Sequence, residues 1–263
     1  MIDAMNSLSN LPRGFKTILL KIKNLERYDG YLGAFVFGSV ARGEATKTSD
    51  IDVKVVTKSD SKCSKFTHPL IDNIKLDLNF NSRKQVVEFT KKEIEKSERI
   101  PMIAESIILF DKNGQLQKIK DNALKAKPKK ITNKDKRELL FMLYHADSKC
   151  QRFLKSDPES SLFSLGININ DVLKCHYKIN RKWWLSDKRI LKDLNSWDQK
   201  LEKYIRKFSK SSNATLKFKY WVRILDYIAR PIGEWRNVEK TGCKCQYCRQ
   251  NLFRIFNNPS KLN

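Results

Sequence analysis

Along the first half of the chain, apolar positions alternate between two periods. Over residues 11–28, Phe15, Ile18, Leu19, Ile22 and Leu25 recur three and four apart, which predicts a helix with one buried stripe. Residues 31–37 (YLGAFVF) then form a short aromatic-rich run that reads as a buried strand. Gly38 and Ser39 end it, and a short helix is expected from Val40. Residues 51–57 (IDVKVVT) predict a second strand. In residues 74–80 (IKLDLNF), Lys75, Asp77 and Asn79 alternate with Leu76, Leu78 and Phe80, a third strand with one polar face. Ser82 is placed to cap a helix running to about Lys96. A last strand, residues 106–110, precedes the turn signal Asp111-Lys112-Asn113-Gly114.

The period changes after that. Residues 118–137 hold nine Lys or Arg against two Asp, with Pro128 among them, and read as a joint between domains. Beyond it only the helical period remains, over residues 132–153, 170–184, 188–208 and 216–230, with Pro158, Ser209 to Ser212 and Pro231 as separators. The expected fold class is α+β. A first domain, residues 1–130, carries a mixed sheet flanked by helices, and a second, residues 131–263, is an all-helical bundle.

Composition narrows the class of protein. Of 263 residues, 40% are hydrophobic and 31% charged, the balance of a chain that folds around a core. No apolar run approaches a membrane span, and the first residues lack the layout of a secretory signal, so a cytoplasmic protein without membrane contact is expected. The net charge of +24 attracts polyanions, although a lysine-rich background accounts for it about as well.

The chemistry concentrates in Gly38-Ser39-Val40-Ala41-Arg42-Gly43 and Ser49-Asp50-Ile51-Asp52-Val53. A strand delivers the backbone to a glycine that admits close approach of a ligand. Ser39 adds a hydroxyl, and the following helical turn presents free N–H groups to an anion, so this is a place for phosphate. Asp50 and Asp52 stand at i and i+2 at a strand start and project together, while Ile51 turns into the core. Like charges so placed call for a cation, and hard oxygen ligands suit Mg²⁺. Asp77 adds a third carboxylate if its strand lies beside theirs. Arg42 suits phosphate or the surface, with phosphate favoured. Ser49 either joins the nucleotide site or caps the turn before the strand.

These residues together, G-S-x-x-R-G, then S-D-I-D-V, then a lone Asp in a following strand, resemble the DNA polymerase β nucleotidyltransferase superfamily. Within it the chain looks most like the bacterial antibiotic nucleotidyltransferases, of the aminoglycoside and lincosamide kind. The resemblance implies a nucleotidyltransferase that moves a nucleoside monophosphate from a nucleoside triphosphate, ATP for preference, to an acceptor hydroxyl and releases pyrophosphate. It implies nucleotide binding by Gly38, Ser39, Arg42 and Ser49. It also implies two Mg²⁺ ions held by Asp50, Asp52 and Asp77, which are the catalytic residues, with Asp77 nearest the acceptor. A carboxylate from the helical half often assists in such enzymes. Glu138 and Asp147 are the candidates, each read first as a solvated helix residue.

The acceptor stays open. Size and layout favour a small molecule such as an antibiotic, which would make the protein a resistance enzyme. The charge favours an RNA or tRNA end, and a third reading is a regulatory module of toxin–antitoxin type that modifies or binds a protein. Cys243, Cys245 and Cys248 offer three zinc ligands, one short of the usual four, with Cys175 or His176 as a fourth. Reduced thiols or a labile redox pair are the favoured alternative. Lys188 and Arg189 would suit a phosphate, and Trp183 and Trp184 a base, but a solvated helix start and core packing come first. His68 and His145 read as structural.

Overall fold

The structure, a computed structural model, describes residues 11–60, 70–97 and 99–241. It divides into two compact units. One comprises Met1–Lys129 with Trp183–Leu185, the other Lys130–Lys182 with Ser186–Asn263.

In the first unit, helix α1 (Arg13–Lys23) and a 3-10 turn (Asn24–Arg27) lead to strand β1 (Tyr31–Phe37). There follow a one-turn helix α2 (Gly38–Ala41), β2 (Ile51–Thr57), a two-residue β3 (Leu70–Ile71) and β4 (Ile74–Ser82). Helix α3 (Arg83–Lys96), β5 (Ile107–Asp111) and α4 (Gln115–Lys125) complete the unit. The sheet order is β3-β4-β2-β1-β5, and it is mixed: β1 runs antiparallel to β2 and β5, β4 antiparallel to β3, while β2 and β4 are parallel.

Period-two alternation splits each strand between two cores. Ala34 and Val36 of β1, Ile51, Val53 and Val55 of β2 and Leu76 of β4 pack with Phe15, Ile18, Leu19 and Ile22 of α1. Phe35 and Val56 turn the other way, onto Val86, Ile103, Leu116 and Ala123. Asp52 and Lys54 share the Val56 parity, so they stand on this second face. Ser82 caps α3 through a reciprocal capping box with Gln85, as its position before the helix predicts. Helix α4 takes up part of the segment read as an interdomain joint. Its Leu116 and Ala123 are buried, and that short apolar stripe is easily missed among the lysines.

The second unit is helical among its described residues: α5 (Asn133–Arg152), α6 (Pro158–Ile179), α7 (Asp187–Trp197), α8 (Gln199–Lys210), α9 (Ala214–Ala229) and a 3-10 segment (Trp235–Thr241). Three expectations need correction. The helix expected from residue 170 starts twelve residues earlier, at Pro158, which takes the first position, where no N–H is needed, behind the Asp157 cap. The same helix ends at Ile179, so Trp183 and Trp184 lie outside it, and Trp184 is buried. The helix expected over 188–208 is two, broken at Asp198. Its backbone leaves the helical region there, and its carboxylate caps α8 by accepting from the Leu201 N–H.

The core of this unit is lined by Leu143, Leu165, Leu194, Leu201, Trp221 and Ile224. Among the described residues, the polar groups it buries are partnered. Asp147 is not solvated: it accepts from Trp221 Nε1 at 3.0 Å, and burial raises its pKa. His176 Nε2 lies 2.8 Å from Asp198 Oδ2, and burial lowers the pKa of its imidazole. Among the described residues no helix is long and apolar enough to cross a membrane.

Candidate active site

The parallel pairing of β2 and β4 sets Asp52 directly opposite Asp77, with Ile51 opposite Leu76 and Val53 opposite Leu78. Paired residues of parallel neighbours project to the same face, and adjacent strands are about 4.8 Å apart. Two carboxylates therefore stand side by side on the face that turns away from α1. Asp50 precedes β2 by one residue and lies close enough to act on Asp52 electrostatically. Burial, then Asp50, then Asp77 push the Asp52 carboxyl up to about 6, while Lys75 and Arg42 pull it down. A carboxyl titrating this high reports a crowded negative site in a partly dry setting.

Gly38 closes the other side. It follows β1, whose Phe37 pairs with Asp52. Its φ of 72° is in the left-handed region, and a Cβ built on it would fall on Asp52 Oδ2. Only glycine combines that backbone turn with that approach. Ser39 follows in the same turn, half-exposed, and its carbonyl accepts from the Glu44 N–H at 2.9 Å. The short helix thus starts two residues earlier than its apolar Val40 suggests.

The remaining expected residues are engaged within the protein. Arg42 Nε donates to Glu44 Oε2 at 2.9 Å, and its Nη1 lies 3.7 Å from Glu105 Oε2. Ser49 Oγ accepts from the Thr46 N–H at 2.9 Å, so its hydroxyl caps the turn before β2. Glu138 pairs with Lys134 at 3.8 Å on an exposed helix face, and Asp147 is committed to Trp221. His145 is exposed and stacks on Phe141, their ring centroids 5.9 Å apart. Cys243, Cys245, Cys248 and His68 lie outside the described residues. Cys150 and Cys175 are free and buried, and burial pushes both thiols up to about 12.

Two further side chains on the polar face of β4 contact the candidate carboxylates, a role the sequence pattern does not assign them. Lys75 Nζ lies 3.6 Å from Asp50 Oδ2, and Asn79 Nδ2 donates to Asp77 Oδ1 at 2.8 Å. Both stand two residues from Asp77, so strand alternation alone places them on its face. Each outer carboxylate is thereby held by a neighbour of its own. Among the described residues no three His, Cys, Asp or Glu side chains are gathered as a ready metal shell. The donor set nonetheless suits a hard divalent cation: oxygen ligands only, on one face, with the central one raised in pKa by burial and then by the other two. Further along the same face, Lys54, Asn81, Gln85, Phe89 and Glu93 line a cavity of about 110 Å³.

Asn79 is 4% exposed and fixes the orientation of Asp77. Asn79→Ala is expected to lower kcat by about tenfold, a loss of one positioning hydrogen bond, with KM for the triphosphate little changed. Steady-state kinetics of pyrophosphate release check this. A change confined to KM would contradict the orienting role.

This geometry agrees with what comparison with known proteins finds. Residues 19–130 match the family model described as "Nucleotidyltransferase domain". The match supports a nucleotidyltransferase domain over that part of the chain. Among solved structures, it is similar to a nucleotidyltransferase-like protein from Exiguobacterium sibiricum at 10% identity, over 93% of this chain and 86% of that one, with a TM-score of 0.45. A search of curated proteins finds no match.

Proposed function

We propose that the protein transfers a nucleoside monophosphate, AMP from ATP, to a hydroxyl group of a small-molecule acceptor such as an antibiotic. One observation carries the reading: Asp52 and Asp77 stand in register on one face beside Gly38, with Asp50 adding its charge to theirs.

In this mechanism Gly38 and Ser39 receive the β- and γ-phosphates at the end of β1, where the backbone can approach them without a side chain intervening. Asp50, Asp52 and Asp77 would hold two Mg²⁺ ions, which supply charge stabilisation to the attacking and leaving oxygens when bound. The acceptor oxygen forms a bond to the α-phosphorus, the bond from that phosphorus to the bridging oxygen breaks, and pyrophosphate departs with the electron pair. Asp77, oriented by Asn79, takes the acceptor proton. Lys75 supplies positive charge at Asp50 and is placed to move to a triphosphate oxygen. The buried reduced thiols Cys150 and Cys175 suit a cytoplasmic setting.

The test is pyrophosphate release with each of the four triphosphates and Mg²⁺, against a panel of hydroxylated antibiotics and against total RNA. We expect Mg²⁺-dependent release with ATP and a small-molecule acceptor, and transfer of label from α-labelled ATP to that acceptor. Label appearing only on RNA or on protein would overturn the acceptor assignment. The absence of release under all conditions would overturn the transfer chemistry itself.

A further inference from the structure

Helix α8 carries a charge pattern that nothing in the transfer chemistry uses. Its buried positions are Leu201, Glu202, Ile205 and Phe208. Lys200, Lys203, Lys207 and Lys210 are all exposed, and their spacing of three, four and three residues puts them in one stripe along the opposite side. At 1.5 Å per residue, Lys200 to Lys210 spans about 15 Å. Between Gln199 and Leu225 the one acidic residue is Glu202, which is buried and bonded by Arg206. The one acidic residue of α9, Asp226, is bonded by Trp235 and Arg236, so neither helix supplies a free carboxylate to the stripe.

Helix α9 extends the same character. Phe208 of α8 lies under the Lys217 ammonium at 5.0 Å, which sets the two helices side by side. Lys219 and Arg223 are exposed one turn apart on α9. Aromatic rings stand among the cations: Tyr204 and Tyr227 meet edge to face at 6.0 Å, Lys200 lies 5.5 Å over the Tyr227 ring, and Arg223 lies 5.7 Å over Tyr220. All three tyrosines are partly exposed. A lysine row interleaved with accessible tyrosines suits a chain of phosphates carrying stackable bases. A bilayer surface would instead want an apolar face beside the cations, and the apolar face of α8 is turned into the core.

We infer that the α8–α9 face is a binding surface for single-stranded nucleic acid, with Lys200, Lys203, Lys207 and Lys210 on the phosphates and the tyrosines on the bases. This goes beyond the proposed transfer reaction and does not depend on it, because no residue of the face belongs to the catalytic strands.

The experiment uses the full chain and fluorescence anisotropy with labelled 20-nucleotide single-stranded RNA, single-stranded DNA and a duplex, at several salt concentrations. Each phosphate contact contributes a slope of about −0.7 in log K against log salt for single strands. The change of Lys200, Lys203, Lys207 and Lys210 to Gln should therefore make the slope shallower by about 3 and weaken binding at low salt by about tenfold or more. Circular dichroism confirms that this variant folds. Changing Lys91, Lys92 and Lys96 of α3 to Gln, an equally exposed set elsewhere, should leave binding nearly intact.

Tyr204→Ala should weaken single strands more than duplex, which separates stacking from charge alone. Preference for RNA or for DNA among single strands identifies the source of the ligand, and either supports the surface. Equal losses from the α3 and α8 variants would overturn it, as would polyglutamate or anionic vesicles competing as well as RNA. Asp52→Asn should bind nucleic acid like the wild type, so failure of this inference is distinguishable from failure of the catalytic one.

Discussion

Replacing Asp52 by asparagine is expected to reduce nucleotidyl transfer by at least about a thousandfold and, in the absence of divalent metal, to make the protein more stable at neutral pH. The first effect follows from position: Asp52 sits between Asp50 and Asp77 and against Gly38, so it is the carboxylate that both proposed metal positions share. The second follows from the carboxyl's elevated pKa. In the folded protein it holds its proton to about pH 6, against 3.8 for the ordinary group. Between those values the native state binds more protons than the unfolded chain, so stability falls as pH rises through this window and the loss is complete above it. Asparagine removes the loss. With discounting for partial exposure, the gain at pH 7.5 is about 1–2 kcal/mol, shrinking toward zero as the pH approaches 4.

Urea unfolding in EDTA at pH 7.5 and pH 5 measures the gain, and pyrophosphate release measures the activity. A stable but still active variant would remove Asp52 from the chemistry. An inactive variant with no gain in stability would mean that the three carboxylates do not repel one another as their placement implies.

The glycine-to-alanine change at position 38 should be nearly as damaging, for a different reason. A φ of 72° is unfavourable for any residue with a Cβ, at a cost of about 1–2 kcal/mol. That strain alone would not silence an enzyme. The added methyl carbon, however, falls on Asp52 Oδ2, so either the strand end or the carboxylate must move. Displacement of a reacting constellation by about 1 Å commonly costs about a hundredfold in rate. We expect a fall of about 10²–10³ in kcat and weakened triphosphate binding, with circular dichroism unchanged. Activity within tenfold of wild type would show that the close approach of Gly38 to Asp52 is not needed.

Much of this site is legible in local sequence signals. Gly38 and Ser39 stand out because a glycine ends an apolar run, and Asp50 and Asp52 because a two-residue spacing in a strand puts side chains together. Ser82 is readable as a cap because its partners are three residues away. Asn79 and Lys75 are visible as members of an alternating polar face, but their partners are not. A hydrogen bond to Asp77 and an ion pair to Asp50 depend on rotamers and on the chain outside the strand. Asp147 shows the opposite failure. An aspartate on an amphipathic helix suggests solvent, and its actual partner, Trp221, lies 74 residues further on.

The helical half is harder to read for a physical reason. The helical period records that a segment is helical and which side is buried, but a break such as Asp198 depends on a cap competing with the helix's own hydrogen bonds, and Pro158 starts a helix or stops one according to where it falls. Sequence alone determined the helix and strand periods, the glycine–serine turn after β1 and the three acidic side chains, since each rests on neighbours within a few residues. Tertiary structure alone decided that β2 and β4 run parallel in a register that sets Asp52 beside Asp77, and that Gly38 closes on them. A one-residue slip of that register would have turned Asp77 into the opposite face, and nothing local forbids it; the burial of Leu76 against α1 does.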